Sequence, residues 1–207
     1  MCFDRKTIDE ADTILVKDKN LAPVIKKLSL DILSGTNDVY NYLIRVIIFQ
    51  QLSGKAANTI YHRFLDIFSD KYPDKDILLS VDHDILRSVG LSNQKAKYVK
   101  NIAQWFKEND PGDWNNLREK EVKDLLLPIK GVGPWTIDML LMFGLCHPDI
   151  IPLNDLGITT SIMQLYGLEK EDNNLNKKIE KISSKWKPYR TIACLYLWRY
   201  LDDQKKK

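Results

Sequence analysis

Cysteine is scarce and odd in number, with Cys2, Cys146 and Cys194 the only three. Three thiols at these spacings supply neither a disulfide framework nor the four ligands of an iron–sulfur cluster. Histidine is as rare. His62, His83 and His147 stand apart, without the paired spacing that holds a catalytic metal. Each reads as an ordinary buried or surface imidazole. Cys146 precedes His147, but neighbours in sequence rarely face one site, so a cysteine–histidine dyad is the weaker reading there. Long apolar runs are missing as well. A membrane span needs roughly 18 continuous apolar residues, and the richest run, Leu43 to Phe49, is broken by Arg45. The N-terminal MCFDRKTIDEAD is acidic and has no apolar signal core. An intracellular protein is therefore expected, in cytoplasm or nucleoid, or in the nucleus if the source is eukaryotic. No strand-like alternation, fixed-period repeat or low-complexity linker is visible.

What is present is helix. The 207 residues are 44% hydrophobic and 29% charged, enough for one large domain or two small ones sharing a cleft. A net charge of +3 permits nucleic-acid binding without requiring it. The C-terminal Lys-Lys-Lys reads as a solvated tail. Apolar residues recur at helical spacing in Ile8–Val16, Leu21–Leu28, Asp38–Phe49, the segment after Ser53, the segment after Ser92, Trp114–Leu127, the segment after Asp155, Leu175–Trp186 and Pro188–Leu201. Ser34 to Asn37, Tyr72 to Asp74 and Asn109 to Asp113 read as breaks. The fold class is all-α, with about ten to twelve helices.

One stretch organises the rest: LPIKGVGPWTIDMLL, Leu127 to Leu141. Pro128 helps end one helix and Pro134 suits the first turn of the next. Gly131 and Gly133 bracket Val132 in a turn expected to be too tight for most side chains. The amides that open the second helix favour an anion. By itself this is a turn between helices and little more. Asp155, in PLNDLG, lies 20 positions beyond Trp135 (155 − 135). It reads either as the N-cap of the following helix or as a carboxylate brought back to the hairpin for chemistry.

Four blocks in order give the chain a resemblance: FQQLSGKAA from Phe49, VGLSNQKAKYVKNIA from Val89, LPIKGVGPWTIDMLLMFGL with PLNDLG, and WKPYRTIACLYLWRYLD from Trp186. Together they resemble the helix-hairpin-helix DNA glycosylases, and within them the DNA-3-methyladenine glycosylase II group, compact type without an N-terminal β domain. The resemblance covers roughly residues 20–202. It implies a two-lobed helix-hairpin-helix fold with the active site in the interlobe cleft. One lobe is expected at residues 36–133, and the other at residues 1–35 with 134–207. The implied activity is base excision repair: flipping an alkylated purine of the 3-methyladenine or 7-methylguanine type out of duplex DNA and hydrolysing its N-glycosidic bond. A non-enzymatic damage-binding module and a bifunctional glycosylase/lyase are the alternatives.

The site follows residue by residue from that resemblance. Asp155 is the catalytic carboxylate, stabilising positive charge on the sugar or orienting water. Trp135, Met139 and Trp198 line the substrate pocket, where aromatic faces suit a cationic base; core packing is the competing reading for both tryptophans. Gln50, Gln51 and Leu52 form the DNA wedge, with Gln51 in the aligned position. Gly131, Gly133, Thr136, Ser92 and Lys95 contact DNA phosphates; for Lys95 and Lys97 a solvated helix face is the alternative. The carbonyls of Leu127, Ile129 and Val132 hold a structural Na+ or K+ ion, and no catalytic cofactor or iron–sulfur cluster is implied. Bifunctional relatives resemble this pattern but carry Lys where Trp135 stands, so a monofunctional enzyme is expected. The partner is double-stranded DNA with alkylated bases, with no membrane, and a monomer is the default. Pro-Ile-Lys-Gly replaces the commoner Pro-Gly before the hairpin, and Asn154 stands where some relatives have a second Asp.

Overall fold

The computed structural model describes residues 2–36 and 38–205. Asn37, within the expected break, and Lys206 and Lys207 of the basic tail lie outside the described residues. In chain order the α-helices are α1 (Arg5–Leu15), α2 (Ala22–Lys27), α3 (Val39–Phe49), α4 (Gly54–Leu65), α5 (Lys75–Ser80), α6 (His83–Ser88), α7 (Asn93–Glu108), α8 (Glu119–Leu126), α9 (Pro134–Met139), α10 (Leu156–Tyr166), α11 (Leu175–Ser183) and α12 (Arg190–Gln204). Extended pairing among the described residues is confined to one isolated antiparallel bridge, Phe3 with Leu33.

The chain forms two compact units. One is Met1–Gly35 with Leu141–Lys207, and the other is Thr36–Leu140. The division expected from sequence, at 133/134, falls one short helix earlier. The difference is α9, which packs against α8 and α3 and so belongs with the helix that precedes the hairpin.

Within Thr36–Leu140, α3 is the central element. Leu43, Ile44, Ile47 and Ile48, at i, i+1, i+4 and i+5, have no exposed surface. They pack on α7, which turns Ala96, Val99 and Ala103 inward, and on α4 with Ala57 and Phe64. Full burial of each Leu or Ile contributes about 1.5–3 kcal/mol relative to exposure, which is why α3 can be apolar on most of its circumference. Local chemistry sets the helix ends: Asp38, Ser53 and Ser92 each accept a backbone amide two or three residues into α3, α4 and α7. Helix α5 was not expected, since Tyr72 to Asp74 read as a turn. The turn exists, and Asp74 also caps a six-residue helix that buries Leu78. The helix expected over Trp114–Leu127 is a 3₁₀ turn, Trp114–Asn116, followed by α8.

In the other unit α12 is central. Ile192, Ala193, Cys194 and Leu197 are fully buried against α10, with α1 and α2 alongside. The Ser161 hydroxyl donates to the Leu197 carbonyl (2.9 Å), so a polar side chain between α10 and α12 is satisfied. Arg190 pairs with Asp149, with Nε to Oδ1 at 2.6 Å and NH2 to Oδ2 at 3.0 Å. Cys2 and Cys146 form a disulfide across 144 positions, and the third cysteine, Cys194, is buried with its thiol 4.0 Å from the Ile150 carbonyl. The sequence excluded a framework of bridges, and this single one was not foreseen. It removes the thiol that a Cys146–His147 dyad would need.

Candidate active site

The hairpin joins α8 to α9 by a chain of short-range bonds. The Ile129 amide donates to the Leu126 carbonyl (3.0 Å) and the Val132 amide to the Ile129 carbonyl (2.9 Å). The two glycines differ. Gly131 has φ +111°, and a Cβ there would stand 2.3 Å from Cγ of Tyr98. Gly133, the N-cap of α9, has φ −99°, and a Cβ there would meet nothing. The sequence expectation that both sit in a turn too tight for side chains holds for Gly131 alone. Backbone geometry leaves Gly133 free to be any residue, so its bareness matters only if something approaches from outside.

Trp135 and Met139 lie one turn apart on α9, on the same face. Trp135 is partly exposed and Met139 buried. The Tyr42 hydroxyl donates to the Met139 carbonyl (3.2 Å). After Met139 the helix widens into a π-helical turn, Leu140–Gly144. Asp138 is also buried. Burial pushes its carboxyl up to about 6, against the pull of Lys123, whose ammonium is 3.5 Å away.

At the end of α3 the chain makes a sharp turn through Gln50, Gln51 and Leu52. Gln51 takes φ +56°, uncommon outside glycine. Residues 51–56 are exposed in an unbroken run. Beneath that tip the groups are bonded. Gln50 Nε2 donates to the Thr136 hydroxyl (2.9 Å), and Lys95 Nζ donates to the carbonyls of Ile48 (2.8 Å) and Gln50 (2.7 Å).

Two of the residues expected at phosphates have their side chains engaged in these bonds. Thr136 is 1% exposed, and its side chain faces Gln50 rather than solvent. Lys95 directs its ammonium inward onto two carbonyls, an arrangement that no reading of a solvated or phosphate-facing lysine contains. Ser92 accepts the Lys95 amide and caps α7 (3.1 Å). The more available cations are Lys97 and Lys130. Both line a cavity of about 520 Å³ with His83, Asn93, Tyr98 and Asn101. Among the described residues no carboxylate pairs with either lysine. Asn101 donates to the Lys130 carbonyl (2.9 Å), which ties this cavity to the hairpin.

Asp155 lies in the other unit. It caps α10, with Oδ1 accepting the Ile158 amide at 2.9 Å, and the same oxygen accepts Nε1–H of Trp198 at 3.0 Å. The two readings of Asp155, cap and reactive carboxylate, are therefore compatible in one geometry. Trp198 comes from α12, 43 positions away, and the Phe143 ring lies 5.7 Å from it. Both residues are partly exposed. Gly157 completes the cluster: a Cβ there would stand 3.0 Å from Trp198 Cδ1 and 3.1 Å from Asp155 Oδ1. Gly157 carries one local signal of this role: a glycine in the first turn of an apolar helix lowers its propensity and asks for a packing reason.

The glycine hairpin between α8 and α9 defines a helix-hairpin-helix protein, and its other unit carries a capped carboxylate bonded to an indole. Residues 44–188 match the model of the HhH-GPD superfamily base excision DNA repair proteins, and the chain belongs to that superfamily. It is similar to DNA-3-methyladenine glycosylase 1 of Schizosaccharomyces pombe, 34% identical over 164 residues, covering 77% of this chain and 71% of the relative. A Bacillus subtilis relative is 31% identical over 172 residues, and the chain spans 59% of its length. Among solved structures, S. pombe 3-methyladenine DNA glycosylase in complex with abasic DNA superposes with a TM-score of 0.82 and 31% identity, covering 92% of this chain and 95% of that one.

Proposed function

We propose that the protein is a monofunctional DNA glycosylase that removes alkylated purines from duplex DNA by hydrolysis. One observation carries the reading: Asp155, held by the α10 amide and the Trp198 indole, is a carboxylate of fixed position in a superfamily of base excision repair proteins. The S. pombe relative and solved structure named above bear the name of 3-methyladenine glycosylases, which supports this substrate class.

The chemistry follows from the leaving group. A purine methylated at N3 or N7 is cationic, so when the bond from C1′ to the base nitrogen breaks, the electron pair leaves with the base and neutralises it. Positive charge passes to the sugar. A fixed carboxylate stabilises that charge and orients the water that attacks C1′, while the water's proton is lost to solvent or base. Departure needs little acid assistance, so no second acid is required. Trp198, beside Asp155, supplies an aromatic face that attracts a cationic base, and Trp135 with Met139 on α9 is assigned the same role. Gln51, with Leu52 beside it, fills the space that the flipped base leaves, while Gln50, bonded to Thr136, anchors the turn beneath them. Gly133, with open space over its Cα, and Gly131 present hairpin amides to a phosphate. The absence of an amine at Trp135 leaves water as the nucleophile, and hydrolysis ends the reaction.

The hairpin carbonyls of Leu127, Ile129 and Val132 are assigned to a Na+ or K+ ion. Among the described residues, no backbone amide donates to Leu127 or Val132. Carbonyl oxygens with open acceptor capacity suit such an ion, whose charge would offset that of the phosphate.

The test is chromatography of bases released from methylated DNA by wild type and Asp155→Asn. Asparagine caps helices as well as aspartate, so the variant is expected to fold and bind DNA. Release is expected to fall by about 10²–10³-fold, the scale of losing one fixed electrostatic group. Near-wild-type release removes Asp155 from the reaction. Lesion binding by wild type with no release from any substrate points to a non-enzymatic module. A borohydride-trapped adduct marks a glycosylase/lyase.

A further inference from the structure

Lys95 stands in the first turn of α7, where the helix dipole disfavours a cation. It is partly buried, and burial lowers the pKa of its ammonium. A lysine in so unfavourable a place calls for a compensating contact, and that contact is the C-terminal end of α3. The last carbonyls of a helix lack intrahelical donors and carry its negative partial charge. Here the Val46 carbonyl takes the Gln50 amide and the Phe49 carbonyl takes the Leu52 amide. The carbonyls of Ile48 and Gln50 take the Lys95 ammonium, at 2.8 and 2.7 Å. From the other side, Gln50 Nε2 bonds the Thr136 hydroxyl at the start of α9. Gln50 is thus fixed through its carbonyl and through its side chain. The next residue, Gln51, projects into solvent at φ +56°. An exposed residue keeps a sparsely populated backbone conformation only when its neighbours over-determine it.

We propose that Lys95 is a positioning residue for the wedge: its ammonium, with the Gln50–Thr136 bond, locks the turn so that Gln51 enters the duplex in one conformation. The inference rests on the glycosylase reading of Gln51. It replaces a phosphate contact by a structural clamp, and the two roles separate experimentally. A lysine on a phosphate contributes about one unit to the dependence of log K on log salt, whereas a lysine on carbonyls contributes none. A wedge is needed only where a gap opens in a duplex, so its loss spares single-stranded substrate.

The experiment compares wild type, Lys95→Met and Lys95→Arg. Methionine keeps much of the stem and deletes the ammonium; arginine restores a cation. Single-turnover release of 3-methyladenine is measured on duplex and on single-stranded methylated DNA. Affinity for a duplex with a tetrahydrofuran abasic analogue is measured against salt. In the same duplex, 2-aminopurine opposite the analogue reports insertion of the wedge without requiring catalysis. Lys95→Met is expected to lose about tenfold or more in release from duplex, as for a lost hydrogen bond to a charged group. Release from single strands and the salt slope are expected to stay unchanged. The 2-aminopurine signal is expected to fall, and Lys95→Arg to recover part of both. Equal losses on duplex and single strand, a salt slope reduced by about one, or a full 2-aminopurine signal in Lys95→Met overturns the proposal. If wild type releases no base, the glycosylase reading fails, and the 2-aminopurine comparison still decides the clamp.

Discussion

Two aspartates show how much environment decides at the level of a residue. Asp155 is partly exposed, and one of its oxygens carries both a helix cap and an indole bond. Asp138 is buried beside Lys123, and burial raises its carboxyl from 3.8 to about 6. That shift has a sign. The folded state holds the proton more tightly than the unfolded state, so the contribution of Asp138 to stability is fully present below about pH 3.8 and lost as pH rises through about 6. Asp138→Asn has no such loss. The difference in melting temperature between Asp138→Asn and wild type is expected to move in favour of the variant from pH 4 to pH 6.5 and then level off. Scanning calorimetry of both proteins over that range checks it, and a constant difference would show that the carboxyl titrates normally.

At the level of elements, the hairpin separates a glycine the fold requires from one it does not. Gly131 combines φ +111° with a Tyr98 ring where a Cβ would lie, so relief requires moving both backbone and ring. Gly131→Ala is expected to cost about 2 kcal/mol or more of stability. Gly133→Ala meets no atom. Its stability cost is expected within about 0.5 kcal/mol, while its methyl group would hold a phosphate off the hairpin amides and weaken DNA binding. Paired denaturant titrations and DNA-binding isotherms test this. Weak binding by Gly131→Ala alone would place the anion elsewhere.

For the whole molecule, a net charge of +3 over 207 residues is too small to carry the proposed DNA binding by charge alone. Local arrangement must matter more. Of the lysines near the hairpin, Lys95 is spent on carbonyls of the α3 end, and Lys100 on those of Leu79 (3.1 Å) and Val81 (2.5 Å). Lys97 and Lys130 remain directed to the cavity. Lys97→Ala and Lys130→Ala are each expected to lower affinity for any duplex and to reduce the salt slope by about one, with little effect on release at saturating DNA. An unchanged slope in both variants would put the DNA on another face.

The all-helical class and most helix boundaries could be read from the sequence because their causes act within a few residues. Asp38, Ser53, Ser92 and Asp155 cap as their identity predicts, and Gly167 ends α10 at φ +63°. The hairpin and Asp155 were legible for the same reason: each is a short pattern with its own backbone requirement. What the tertiary structure decided lies between residues far apart. Trp198 meets Asp155 across 43 positions, Lys95 meets Gln50 across 45, Gln50 meets Thr136 across 86 and Cys2 meets Cys146 across 144. Nothing local distinguishes a lysine aimed at a phosphate from one aimed at a helix end. Packing α7 against α3 makes that choice, because it brings two carbonyls short of donors within reach of one ammonium.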